Sequence, residues 1–325
     1  MPIDRRHACA ALLAAAVAPR ARAQAWPSKP LRVVVGAAPG GPSDFLARLM
    51  AEQLTPLLGQ PVVVENKPGA SSTFAADAVA KAPADGHTLL MSGPAAITNA
   101  PFVMARLNYD PARDLVPVAV IGAGAFVLAV NAALPVRTVA DLAAYAAANP
   151  RKINYGSGGN GSSGHLASEF YSQTAGVQMT HVPYKGDGLA MNDLLGGQIQ
   201  LMFTAPNVAV PHAKAGRVRV LAVTSRERLP SLPDVPTMVE AGVADFEYLG
   251  WIMAFVPAAT PKPAIEALQA AWAKSRNQPA VRGKLEELGM LAPERLASPA
   301  ALAPFLRDEQ ARLSRIVKAA GIKPE

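Results

Sequence analysis

The sequence predicts an α/β protein folded as two lobes. Short apolar stretches of strand character alternate with stretches of helical spacing, the alternation runs through two successive halves, and a helical tail follows. The chain has 325 residues, half of them hydrophobic, enough for one large α/β domain or two smaller lobes. Its 30 prolines mostly sit where elements end, as expected of an ordered chain with many short connections. No stretch beyond the extreme N-terminus is apolar and long enough to cross a bilayer.

The N-terminus reads as an export signal. Arg5-Arg6 precede an apolar run over 8–18, and Ala21-Arg22-Ala23 and Ala23-Gln24-Ala25 offer cleavage sites. Residues 1–25 are therefore excluded from the fold, and the mature chain is expected in the periplasm. The arginine pair leaves twin-arginine and general export both open. Cys9 has no apolar stretch before it, which argues against a lipid anchor there. Cys9 is also the only cysteine, so the mature chain has no disulfide, cysteine nucleophile or thiolate metal site. Four arginines and one aspartate leave with the signal, lowering the formal charge from +7 to about +4. That mild excess, with no basic stripe or aromatic stacking motif, argues against nucleic acid and for at most a bias towards anions.

Along the mature chain, 31–35 reads as a buried strand, 37–43 as a turn rich in glycine and proline, and 44–58 as a helix. Strand 62–64, helix 75–80 and strand 88–91 follow. The second half opens with strand 126–130. Thr138 then caps a helix over 139–148, with Asp141 as its reciprocal capping partner. Strand 153–155, helix 165–174, strand 179–184, helix 189–195, strand 199–203, helix 208–215 and strand 218–223 continue the alternation, which indicates parallel β-α-β units. After Thr224 the character changes: 230–236 is a loop, 251–256 one more strand, and 265–275, 280–288 and 300–320 are helices. The crossings between lobes are expected at 120–124 and 224–227.

Two strand-to-helix loops stand out, 37–44 and 156–165. Each has glycines that let a ligand approach the backbone, hydroxyl side chains, and a helix starting at once. Helix N-termini offer unpaired N–H groups and partial positive charge, which suit a carboxylate or a phosphate. Either loop alone also fits a tight glycine turn with a serine cap; two, on separate lobes, point to a clamp for an anion. Asp44 falls in the first turn of its helix, where the macrodipole favours a carboxylate whether or not it meets ligand. His165 stands at a helix start beside serines, placed to touch a ligand.

Gly156-Ser157-Gly158-Gly159-Asn160-Gly161 matches the dinucleotide string G-x-G-x-x-G. The ribose-binding acid expected about 20 positions on is missing, because Met179 to Lys185 contains no Asp or Glu. An exported chain also seldom meets free dinucleotide, so no cofactor is expected. A phosphate-binding P-loop would need Gly-Lys-Ser/Thr after the glycines. Ser162 and Ser163 lack the flanking glycines of a hydrolase elbow, and no Asp is placed to complete a triad with His165. His87, His165, His181 and His212 form no spaced metal cluster. Glu286-Glu287, near Arg282 and Lys284, reads as a solvated helix face.

A series of short segments runs in order from Trp26-Pro27-Ser28-Lys29-Pro30 to the C-terminus. They include LTPLLGQPVVVENKP at 54–68, Asp85-Gly86 with Thr88-Leu89-Leu90, and Tyr109-Asp110-Pro111. His181-Val182-Pro183-Tyr184-Lys185-Gly186, Asp193-Leu194-Leu195-Gly196-Gly197-Gln198, Leu221 to Ser225 and Leu232 to Thr237 complete the set. In these segments the chain resembles the Bug family, extracytoplasmic solute-binding proteins associated with tripartite tricarboxylate transporters. The resemblance implies a two-lobed, type II clamshell periplasmic-binding fold with a carboxylate held in the cleft between lobes, and no catalysis. Residues 26–124 and 227–325 would form lobe 1 and 125–226 lobe 2, with the packing of the C-terminal helices left open.

In that family a proline- and glycine-rich loop and a Ser/Gly/Asn loop clasp the ligand carboxylate. Pro39, Gly40, Gly41, Ser43 and Asp44 match the first; Ser157, Asn160, Ser162, Ser163 and His165 match the second. Ala37 stands where the family has an aromatic residue, Pro42-Ser43 where Gly-Thr is usual, and Gly158 and Gly164 where serine is common. Thr204-Ala205 replaces the usual Asp-Asn after Leu201-Met202-Phe203. Losing that Asp at Thr204 makes the far end of the cleft less acidic, and Ala37 leaves more room. The resemblance thus implies a carboxylate with a larger or more apolar body, an aromatic or branched acid, rather than an amino acid. A monomer that hands its ligand to a membrane transporter or a sensor is expected. Ser163→Ala is expected to weaken binding with little loss of stability. The alternative is an exported hydrolase acting on a carboxylate ester through Ser163 or Ser162 with His165.

Overall fold

The computed structural model describes residues 26–40, 42–291 and 294–324; the export signal read at 1–25 lies outside them. β1 (Leu31–Val35) is buried at every residue except Arg32, the near-continuous apolar run of a strand covered on both faces. It feeds α1 (Pro42–Leu58), β2 (Val62–Asn66), α2 (Thr73–Ala80), β3 (Thr88–Ser92) and β4 (Leu115–Ala125). After Phe126 the chain enters β5 (Val127–Asn131), α3 (Val139–Ala148), β6 (Asn154–Ser157) and α4 (Ser163–Ala175). β7 (Thr180–Pro183), α5 (Asp187–Gly196), β8 (Leu201–Thr204), α6 (Pro206–Lys214) and β9 (Val218–Val223) follow. The chain returns as β10 (Leu249–Pro257), then α7 (Lys262–Arg276), α8 (Pro279–Glu287), β11 (Met290–Leu291) and α9 (Pro299–Ala320). The Thr138–Asp141 capping box forms at the start of α3 as the sequence predicts.

The strands make two sheets, in the orders β11-β4-β10-β3-β1-β2 and β7-β6-β8-β5-β9. β1 pairs parallel with β2 and β3, and β6 parallel with β7 and β8. The sheets are nevertheless mixed rather than parallel throughout. β10 runs antiparallel to β3 and β4, and β5 antiparallel to β8 and β9. The connectivity explains this. β4 and β9 run towards the interlobe crossings while β10 and β5 start from them, so each pair must point in opposite directions.

Each sheet carries a separate apolar core on each face. Val33, Met50, Leu54 and Trp272 lie on one side of the first sheet, and Val34, Leu90, Phe255 and Trp251 on the other. Tyr155, Leu166, Tyr171 and Phe203 fill one face of the second sheet, and Met191, Leu194, Met202 and Val223 the other. Residues 227–248, assigned to lobe 1 by the sequence reading, place Leu229 against the second sheet's outer core and Met238, Val243, Phe246 and Tyr248 in its inner one. The main chain keeps them there: Val223 N–H donates to Pro236 O at 2.9 Å and Met238 N–H to Val223 O at 2.9 Å. α9 packs on both sheets. Leu302 belongs to the first sheet's core, while Leu313, Ile316 and Val317 join the second's. Its 22 residues give a length of about 33 Å, enough to reach across.

Thr224 stitches the crossings together. Its Oγ1 accepts from Phe126 N–H at 2.7 Å and donates to Tyr248 O at 2.5 Å. Its own N–H donates to Phe126 O at 2.9 Å, and its carbonyl accepts from Tyr248 N–H at 3.0 Å.

Candidate functional site

The C-terminal ends of β1, β2 and β3 point to one region, the position at which open α/β sheets bind ligands. There β1 gives way to the first loop. Pro39 and Gly40 are exposed, with Gly40 at a φ of 84°; Gly41 lies outside the described residues. The loop is held from below by Asp44, which is 3 % exposed. Its carboxylate accepts from Gly40 N–H at 2.9 Å, Arg48 Nε at 3.0 Å and Asn66 Nδ2 at 2.8 Å. Asn66, at the end of β2, also donates to Ala37 O at 3.0 Å. Hydrogen bonding from Arg48 and from the Gly40 backbone lowers the Asp44 pKa to about 2. Its oxygens are already engaged by the protein, so Asp44 shapes the loop rather than offering free acceptors. On the other side Ser72 donates to Gly36 O at 3.1 Å. A side chain at Gly36 would collide with Ser72, the built Cβ lying 2.3 Å from the serine Cβ.

The second loop, from β6 into α4, is braced internally. Ser157 is fully buried; its Oγ lies 2.7 Å from His181 Nε2 and accepts from Gly159 N–H at 3.2 Å. Ser162 caps α4 by accepting from His165 N–H at 3.3 Å. Ser163 lies beside Tyr248, a residue only 2 % exposed at the lobe crossing. His165 accepts from Gly161 N–H at Nδ1, 3.1 Å away, which fixes that nitrogen as unprotonated. Asn160 is exposed. Two glycines of this stretch have steric reasons. A Cβ at Gly164 would lie 2.6 Å from Phe203 O, and one at Gly158 2.7 Å from Asp187 Oδ1.

Behind the loop the rings of Tyr155, His181 and His165 stack, with centroids 4.9 Å and 3.8 Å apart. Tyr155 donates its hydroxyl proton to Glu169. Burial lowers the His165 pKa to about 3, helped by the neighbouring imidazole, and the His181 pKa to about 4. Burial pushes Glu169 upward. The loop also reaches the first lobe: Asn99 Nδ2 donates to Gly161 O at 2.9 Å.

Thr204 is fully buried and donates to Asp187 Oδ2 at 2.9 Å. Asp187 lies in the first turn of α5, and burial raises its pKa above the ordinary carboxylate value. Sequence reasoning missed this residue. Its carboxylate sits beside Thr204 but arrives from another helix, so no spacing in the sequence announces it.

A cavity of about 280 Å³ lies between the two halves of the chain. Ser43 and Leu46 of α1, Pro94, Trp251, Ile252 and Met290 line it from the first sheet's side. Phe126 marks the crossing, and Ala205, Pro206 and Asn207, at the N-terminus of α6, belong to the second. Of the residues expected from the sequence, Ser43 lines this cavity. Thr204 directly precedes its wall, the side chains of Ser157, Ser162 and His165 turn to partners within the fold, and Ser163 lies beside Tyr248. Asn207 and Trp251 are wall residues that the sequence reading did not single out. Among the described residues no cluster of three or more His, Cys, Asp or Glu could hold a metal ion.

The family model for the tripartite tricarboxylate transporter family receptor matches residues 46–322. The chain is similar to the protein BugT of Bordetella pertussis, 33% identical over 310 residues that cover 95% of this chain and 94% of that one. A structure of an R. palustris protein with adipate is 37% identical with a TM-score of 0.79, covering 92% of this chain and 100% of the other. The structure of the periplasmic binding protein BugD is 33% identical with a TM-score of 0.76, at the same coverage. These likenesses bear out the two-lobed periplasmic-binding fold expected from the sequence. They give the hydrolase alternative no support. The local chemistry is against it as well, since His165 Nδ1 is taken up by a backbone N–H.

Proposed function

The chain belongs to the tripartite tricarboxylate transporter receptor family, and on that premise we propose that it captures a small carboxylate between its lobes in the periplasm. The observation that carries this reading is the interlobe cavity, bordered by the N-termini of α1 and α6 from opposite lobes. Each end supplies N–H groups without helical acceptors and a partial positive charge. Residues 1–25 act as a cleaved export signal. The lobes close about Phe126, Thr224 and Tyr248, and the closed form is what a membrane transporter or a sensor recognises.

Within this reading Ser43, with the backbone of Pro39 and Gly40, meets the ligand from lobe 1. Asn207 and the main chain around Asn160 meet it from lobe 2. Asp44, Ser157, Ser162, Ser163, His165 and Thr204 hold those groups in position. The relative with adipate supports a carboxylate as the class of ligand.

A thermal-shift screen of mono-, di- and aromatic carboxylates tests the proposal. A ligand at 100 times its Kd stabilises the fold by about 2.7 kcal/mol. A shift without turnover of the ligand is the expected result. A flat response across all carboxylates, with a shift from some other class, would sink it.

A further inference from the structure

We propose that Asn99 is a positioning residue for the ligand site: it ties the second loop to lobe 1, so that the loop takes up its binding geometry only when the lobes are together. The proposal rests on the carboxylate-capture reading above and adds the contact that sets the loop's place.

The tie joins residues 62 positions apart, on opposite lobes. Asn99 Nδ2 donates to Gly161 O at 2.9 Å. A main-chain carbonyl can only accept, so the amide must turn its NH2 towards the loop, and its Oδ1 then meets Thr98 Oγ1 at 3.1 Å. Asn99 is 1 % exposed and Gly161 is buried, so water does not compete for the bond. The N–H of Gly161 is taken from within lobe 2, by His165 Nδ1 at 3.1 Å. Gly161 therefore hangs between the lobes, one main-chain group held by each.

Lobe 1 holds Asn99 stiffly. The residue closes a single π-helical turn, Ala95–Asn99, a form that occurs mostly as isolated turns and often at functional sites. Tyr109 Oη donates to Ala96 O at 2.6 Å, and Gln310 Nε2 of α9 to Ile97 O at 3.3 Å. The turn starts directly after Gly93 and Pro94, which line the cavity. One short segment thus runs from the ligand cavity to the interlobe bond. The packing is equally close. Phe102 and Val103 lie against the second sheet's core, and a Cβ at Gly161 would come within 2.6 Å of Val103 Cγ2.

The energetics make this a tie rather than a plain structural bond. When the lobes part, water can satisfy both Asn99 and Gly161 O. When they are together, an Asn99 variant without a donor leaves the carbonyl buried and unpaired. Such a variant penalises the closed arrangement alone, and apparent affinity falls with the fraction of chains in the competent state.

The test reads lobe separation directly. Cys9→Ser removes the chain's only cysteine, and spin labels at Lys67→Cys and Lys185→Cys, both exposed just past the ends of β2 and β7, report the distance between lobes. Asn99→Leu keeps a similar volume and deletes the donor. With and without adipate it should add a second population of distances that the parent lacks. Identical distributions in both samples would overturn the tie. Adipate should leave the variant about tenfold faster, while association stays within about twofold of the parent. If the parent binds no carboxylate, the capture reading fails and the label distances still decide the tie. Should Asn99→Leu not fold, a steric pair replaces it. Gly161→Ala sets a methyl group against Val103 and should disturb the distances, and adding Val103→Ala should restore them. A Gly161→Ala effect that ignores Val103 would place the constraint inside lobe 2 and remove the interlobe role.

Discussion

The imidazoles of His165 and His181 lie face to face, 3.8 Å between centroids and 8° from parallel. Two protonated rings cannot share that geometry, and the hydrogen bond from Gly161 N–H requires His165 Nδ1 to be unprotonated. Both pKa values are depressed, to about 3 and about 4, chiefly by burial. The unfolded chain therefore binds more protons than the folded one between about pH 6.5 and pH 4. The stability held by neutral imidazoles is complete above pH 6.5 and falls as the pH drops through that window, by at most about 1.4 kcal/mol per pH unit for each ring. Glu169, Asp187 and Glu309, whose pKa values are raised, act in the opposite sense. Comparison with His165→Asn isolates the histidine part. Urea midpoints from pH 7 to pH 4 should fall less steeply in the variant; parallel slopes would contradict the assignment.

Asp44 and Asn66 make a second measurable pair. The carboxylate joins the first loop, α1 and the end of β2, and its removal strands Gly40 N–H, Arg48 and Asn66 at once. Asp44→Ala should cost about 1–3 kcal/mol in urea unfolding. Asn66→Ala should overlap with it, so the double variant loses less than the two singles together. Affinity for a bound carboxylate should fall in Asp44→Ala, because the loop loses its anchor. A rise in affinity would mean that Asp44 faces the ligand and repels it.

Ser163 is expected to behave differently from the sequence reading, which anticipated weaker binding with little loss of stability. Its hydroxyl lies beside that of Tyr248, a ring buried where the lobes join. Ser163→Ala sets a methyl group against that phenol and should destabilise the apo protein by about 1–3 kcal/mol. Tyr248→Phe removes the stranded group, so the double variant should recover part of the loss. A Ser163→Ala protein as stable as the parent, with weakened ligand affinity, would restore the direct contact.

These pairs mark the limit of what the sequence discloses. Periodicity located β1, α3 with its Thr138 cap, and both glycine loops, because local spacing and capping chemistry govern them. β4 was read only as a crossing at 120–124: Pro117, Gly122 and Gly124 interrupt its eleven residues, and its partner β10 lies more than a hundred positions on. Residues 227–248 look like loop because they have few regular elements; only their burial against the second sheet shows where they belong. Asp187 and Tyr248 escaped for the same reason. Each acts through a contact distant in the chain, and a lone residue of its type in a helix or strand carries no signal of that contact.

The hinge offers the last test. Thr224 Oγ1 accepts from Phe126 N–H and donates to Tyr248 O, so one hydroxyl ties both crossings. Thr224→Val keeps the shape, since Thr224 is fully buried, and strips both hydrogen bonds. Leaving a buried N–H and a buried C=O unpaired should cost about 1–3 kcal/mol for each group, softened by whatever relaxation the crossing allows. The main-chain bonds of Thr224 to Phe126 and Tyr248 remain, so the variant should still fold. What it should lose is a single hinge geometry. Small-angle scattering of the parent chain with a saturating carboxylate should show a contraction relative to the unliganded chain. In Thr224→Val the unliganded protein should scatter as a broader distribution, and closure should require more ligand. A variant with the parent's stability and scattering would mean that the hydroxyl fills space at the crossing without setting the lobe angle.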